Sequence, residues 1–185
     1  TDTTLIVSTN ATSRFDLNKN ILITLARPFD HFEKESILLY EDSVLITTPK
    51  INVVGVNKLE LVYAFKEDTE YELFIPPATF KDIFGLKNDT VYSKFKTKKE
   101  AAYGTIKLTT TPNFSENYIV QATTNYSYLK PGPYKLKLII DTDNNQQWST
   151  GNYLKGLQPE KVIFYEKAIK IKANWDNDIS WKINE

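Results

Sequence analysis

The sequence predicts an all-β fold made of two antiparallel β-sandwiches, and three observations carry that expectation. Short segments of alternating apolar and polar residues recur along the whole chain, the period of a half-buried strand. Apolar residues at helical spacing are almost absent. A charged connector, "KTKKEAAYG" from Lys96 to Gly104, interrupts the pattern, which then begins again. Evenly spaced short strands favour antiparallel sandwiches over a strand–helix–strand sheet.

In chain order the first strands are "TTLIVST" (Thr3 to Thr9), "NILITLAR" (Asn20 to Arg27) and "SILLYED" (Ser36 to Asp42). "NKLELVYA" (Asn57 to Ala64), "TEYELFIP" (Thr69 to Pro76) and "TVYSKFKT" (Thr90 to Thr97) follow. Each is rich in β-branched or aromatic residues and bounded by Asn, Asp, Pro or Gly, which favour turns. A single helical turn is expected within "PPATFKDIF" (Pro76 to Phe84), before Gly85 restarts the chain. Beyond the connector come "YGTIKLTTT", "NYIVQATT", "GPYKLKLIID", "EKVIFYEKAIKIKA" and "DISWKIN". Domain limits of 1–98 and 103–185 follow, each a sufficient length for one small sandwich.

Composition removes several functions. Lys plus Arg and Asp plus Glu both total 23, so the basic excess of a nucleic-acid binder is missing. With no cysteine there are no disulfides, thiolate metal sites or cysteine nucleophiles. No apolar run approaches the ~20 residues that span a bilayer. The chain starts at Thr1 and contains no Met, as expected of a processed product or a portion of a longer protein. A signal or lipid anchor is then expected upstream.

The order "ILITLARPFD", "ILLYED" and "LELVYAFKEDTEYELFIPPATFKDIFGLKNDTVYSKFKT" resembles the SbsA-type bacterial Ig-like domain of cell-surface proteins. Thr69, Tyr71, Leu73, Ile75, Asp82, Gly85, Phe95 and Thr97 carry the likeness. The second half resembles a prealbumin-like or carboxypeptidase-regulatory-like sandwich. Its signature is Leu129, Pro131, Gly132, Tyr134 and Leu136 in "LKPGPYKLKLIIDTDNN". The following "DTDNNQQWSTGNYLKGLQPEKVIFY" is similar to a segment of uncharacterised envelope lipoproteins of Bacteroidetes-type bacteria. These resemblances imply an exported protein at the periplasmic or outer-membrane surface.

Within that segment, Asp141, Asp143 and Asn145 present oxygens at alternate positions, as the first half of an EF-type calcium loop does. Gln146 stands where such a loop has Gly, Ser149 at its ninth position, and Asn152 where it has a bidentate Glu. Two carboxylates without that Glu would bind calcium weakly, in roughly the millimolar range. The same residues suit a polar turn whose side chains bond their own backbone. No other cofactor is expected.

Catalytic arrangements are poorly represented. His31 is the sole histidine, placed by the sequence in a loop after Pro28-Phe29-Asp30. One His and no Cys cannot make a usual catalytic zinc site, and no G-x-S-x-G elbow or phosphate-cradling glycine loop occurs. Aromatics gather late in the chain: Tyr126, Tyr128, Trp148, Tyr153, Tyr165, Trp175 and Trp181. Alternation assigns Trp181 with Ile183, and Ile169 with Ile171 and Ala173, to buried strand faces. Trp148 lies in a polar loop, and with Tyr153 it is the expected ligand-binding pair. The sequence thus points to a non-enzymatic structural or adhesion-like module whose partner is a protein or a cell-surface glycan. The alternatives are a glycan- or ligand-binding module built on the C-terminal aromatics, and an accessory domain of a larger secreted enzyme.

Overall fold

The computed structural model describes residues 3–47, 49–112, 115–122 and 127–183, with 121 and 122 described by backbone alone. The chain forms two compact units, Thr1–Lys99 and Glu100–Glu185. Its fold is all-β: among the described residues there is no α-helix, and three short 3-10 turns are the only helical elements. Among the described residues no helix is long and apolar enough to cross a membrane.

The first unit contains β1 (Val7–Thr9), β2 (Arg14–Phe15), β3 (Ile21–Leu25), β4 (Phe29–Phe32), β5 (Leu38–Glu41) and β6 (Val44–Ile46). It continues with β7 (Lys50–Gly55), β8 (Lys58–Val62), β9 (Glu70–Ile75), β10 (Phe80–Asp82) and β11 (Val91–Thr97). They make a four-stranded sheet, β1-β3-β8-β7, a five-stranded sheet, β2-β11-β9-β5-β6, and a small β10-β4 ribbon. Alternation decides which side chains go inward. Ile21, Ile23 and Leu25 of β3 share one core with Leu59 and Leu61 of β8 and with Tyr71, Leu73 and Ile75 of β9. Each such apolar side chain contributes roughly 1.5–3 kcal/mol through burial. Register matters, since a slip of one residue would turn this whole set to solvent.

The second unit contains β12 (Thr105–Pro112), β13 (Tyr118–Ala122), β14 (Gly132–Tyr134), β15 (Leu136–Ile140), β16 (Val162–Phe164), β17 (Ile169–Ile171) and β18 (Asp176–Ile183). Its sheets are β13-β15-β16, β14-β17 and β12-β18. Leu136, Leu138 and Ile140 of β15 pack with Ile106, Ile169, Ile171, Trp181 and Ile183. Tyr165 stands edge-on to Trp181 at 5.3 Å, so both of these late aromatics belong to the core.

Four local expectations are corrected. Residues 76–84 hold no helical turn: a bend at Ala78, at φ 62°, leads into β10. The segment from Gly132 breaks at Lys135, so its two parts join different sheets. Ala173 is exposed, because β17 ends at Ile171. His31 lies on β4 rather than in a loop, with its Nε2 2.9 Å from Glu33 Oε1 at the surface. Two pairings, β2 with β11 and β12 with β18, are parallel within an otherwise antiparallel set.

Candidate functional site

The site grows from the end of β15. Asp141 follows the last residue of that strand, and its N–H donates to Asn117 O at 2.9 Å. Its carboxylate is buried, 4% exposed, and accepts the N–H of Asn145 (3.1 Å) and of Gln146 (3.0 Å). These bonds curl the loop round the carboxylate, and Asn144 and Gln146 take positive φ of 57° and 61° to allow it. The Gln at the position where an EF-type loop has Gly therefore adopts a left-handed conformation.

Asp143 is exposed and faces Ser149, whose hydroxyl donates to Asp143 Oδ2 at 2.7 Å. That hydrogen bond holds the Asp143 carboxyl below the ordinary carboxylate range. Asn145 Nδ2 donates to the same oxygen at 3.0 Å, and Asn145 Oδ1 accepts the Gln147 N–H.

The missing carboxylate arrives from elsewhere. Glu160, 6% exposed, accepts the Thr142 N–H (2.8 Å) on Oε1 and the Ser149 N–H (2.9 Å) on Oε2. Ligand oxygens of Asp141, Asp143 and Glu160 all lie within 4.8 Å of one another. None of the ion pairs among the described residues involves these three. Three carboxylates so close repel one another, and the N–H groups of Thr142, Asn145, Gln146 and Ser149 that they accept offset part of that repulsion. Asn152, at the position where an EF-type loop has its Glu, instead caps a 3-10 turn, accepting the Lys155 N–H at 3.1 Å. Glu160 escapes a count along the loop because it is supplied across a hairpin; the signal was an isolated acid in "GLQPEKV", just before β16.

The hairpin itself is short and closed. Glu160 N–H donates to Ser149 O (3.0 Å), and Asn152 and Leu157 pair backbone to backbone. Gly151, at φ 78°, sits where a Cβ would fall 2.6 Å from Leu157 O. At the tip Tyr153 is 98% exposed and Leu154 94%. Trp148 is partly exposed, with its indole N–H donated to Glu160 O at 3.0 Å, so it braces the hairpin base. The structure thus brings Asp141, Asp143, Asn145, Ser149 and Trp148 together around Glu160 and projects Tyr153 outward. Tyr126 lies outside the described residues.

No family model and no curated protein matches the chain. Among solved structures it is similar to the N-terminal part of the bacterial S-layer protein SbsC, at 12% identity and a TM-score of 0.42, covering 72% of this chain and 40% of that one. It is also similar to the fibronectin(III)-like modules of Clostridium thermocellum CbhA, at 7% identity and a TM-score of 0.28, covering 96% and 95%. A third is SGBP-B of the Bacteroides ovatus mixed-linkage glucan utilization locus, solved with a mixed-linkage heptasaccharide. There the identity is 10% and the TM-score 0.26, covering 97% of this chain and 47% of that one.

Proposed function

We propose that the chain is a non-enzymatic display segment of an exported protein, acting at the periplasmic or outer-membrane surface. In this reading a calcium ion closes the base of the 149–160 hairpin and holds its apolar tip out for a partner. The observation that carries it is the convergence of Asp141, Asp143 and Glu160 within 4.8 Å at that base. All three offer hard oxygen ligands, with Asn145 and Ser149 beside them, which suits calcium. Zinc prefers nitrogen and sulfur donors, and none of these five residues supplies either. Glu160 takes the part of the bidentate Glu, so the site is expected to be tighter than the loop alone would give.

A free ion that binds only the folded unit stabilises it by mass action, about 1.4 kcal/mol at ten times the dissociation constant. For a unit of this size that raises its melting temperature by roughly 5–10 °C. Calcium titration by calorimetry, with melting followed in parallel, is the test. Binding heat and a raised melting temperature that chelator reverses are expected, and Glu160→Gln is expected to abolish both. No heat and no shift at about 5 mM calcium would overturn the reading.

A further inference from the structure

The second unit carries a separate open cleft of about 620 Å³ that shares no residue with the hairpin. Its floor is Tyr103, buried at 4% exposure, with Tyr128 standing edge-on to it at 5.5 Å and 89°. The Tyr128 hydroxyl donates to Glu100 Oε1 at 3.0 Å. The opposite wall is the turn after β17, where Asn174 N–H donates to Tyr103 O (2.8 Å) and Trp175 O accepts the Thr105 N–H (3.0 Å). Gly104 allows these walls to close up, since a Cβ there would lie 2.5 Å from Lys172 O. Two lining residues, Tyr128 and Asn174, hold left-handed φ of 57° and 53° without being glycine. For Tyr128 such a conformation persists only where the surroundings fix it; for Asn it is common.

Its chemistry is selective. Apolar contact comes from aromatic rings, Trp175 above all at 55% exposed, and among the described lining residues Ala101 is the only aliphatic one. Rings and carboxylates together would suit a cation, but the protein already supplies its own. Lys172 Nζ stands 5.1 Å over the Trp175 ring, and Lys107 Nζ is 3.1 Å from Asp176 Oδ2, whose partner oxygen accepts the Thr105 hydroxyl. Beside these pairs the cleft presents the exposed Trp175 ring, the exposed Asn174 amide and the Glu100 carboxylate, whose Oε1 accepts the Tyr128 hydroxyl. A neutral molecule with an apolar C–H face and many hydroxyls matches that combination. The geometry points to a neutral saccharide subsite, with Trp175 stacking on a sugar ring and Asn174 and Glu100 bonding its hydroxyls. This inference is independent of the calcium reading.

The test titrates the full chain with neutral hexasaccharides of glucose, xylose and mannose, with tetramethylammonium and an acidic galacturonate oligomer as controls. Millimolar or tighter binding of at least one neutral sugar is expected, with a change in tryptophan fluorescence and no dependence on calcium. Trp175→Ala is expected to weaken binding at least about tenfold, Glu100→Gln severalfold, and Trp148→Ala not at all. Should Trp175→Ala fail to fold, Trp175→Phe serves: it keeps a smaller ring and is expected to weaken binding without abolishing it. The proposal fails if no neutral sugar binds at about 10 mM, if folded Trp175 and Glu100 variants bind as the parent does, or if only the ammonium or acidic control binds.

Discussion

Glu41 shows how much one side chain organises in the first unit. Its Oε1 pairs with Lys66 Nζ, and its Oε2 accepts the hydroxyls of Tyr71 (2.8 Å) and Tyr63 (2.9 Å). The Tyr71 hydroxyl also accepts the Lys66 N–H at 3.0 Å. The Lys66 bond chiefly, with the two phenols, holds the Glu41 carboxyl below its ordinary value of 4.5. Its stabilising effect is therefore present above pH 4.5 and lost as pH falls through the depressed value. Burial, followed by the Glu41 hydrogen bond among the causes that act in the same direction, raises the Tyr71 phenol well above its ordinary 10.0. That contribution is present below pH 10 and lost as pH climbs through the raised value. Melting of the first unit between pH 3 and 6 should fall on acidification, and Glu41→Gln should flatten the fall. Tyr71→Phe strands the Lys66 N–H and should cost about 1–3 kcal/mol by denaturant unfolding. At this scale the loop oxygens of Asp141, Asp143 and Asn145 were legible in the sequence, because they are neighbours along the chain. Glu160 was not legible as a partner, because only folding brings it to them.

Elements were legible where alternation is strong and obscure where distant groups intervene. β3, β8 and β9 announce themselves through residues that all reach the core. Residues 76–84 do not, because Asn88 decides their shape from outside. Its backbone O accepts the Ala78 N–H (2.9 Å), and its side chain accepts the Phe80 N–H (2.7 Å). Local sequence suggests a helical turn there, and those two long-range bonds select an extended path instead. Strand direction is equally hidden, since alternation reads the same for parallel and antiparallel neighbours. The hairpin offers the element-scale prediction. Gly151→Ala meets both a positive φ and a backbone oxygen. It should cost at least about 1 kcal/mol in the second unit and weaken calcium binding, read by melting and calorimetry, while leaving the first unit unaffected.

For the whole molecule, each unit has its own buried cluster. Residues 1–99 and 100–185, expressed apart, should each unfold cooperatively. Leu73→Ala should cost about 2–5 kcal/mol in the first fragment's denaturant unfolding. Single broad, non-cooperative transitions in both fragments would overturn the division. The parallel pairing of β12 with β18 has a mechanical consequence. Thr105 lies beside Asp176 and Pro112 beside Ile183, so β12 begins at one end of the ladder and β18 finishes at the other. Tension applied at 105 and 183 draws the two strands past each other lengthwise, and their shared hydrogen bonds must yield together. Handles at 105 and 176 would instead peel the ladder open bond by bond. Single-molecule pulling should find a distinctly higher rupture force in the first geometry. A unit strung between an anchor and a load would then resist drag along the direction in which its chain runs.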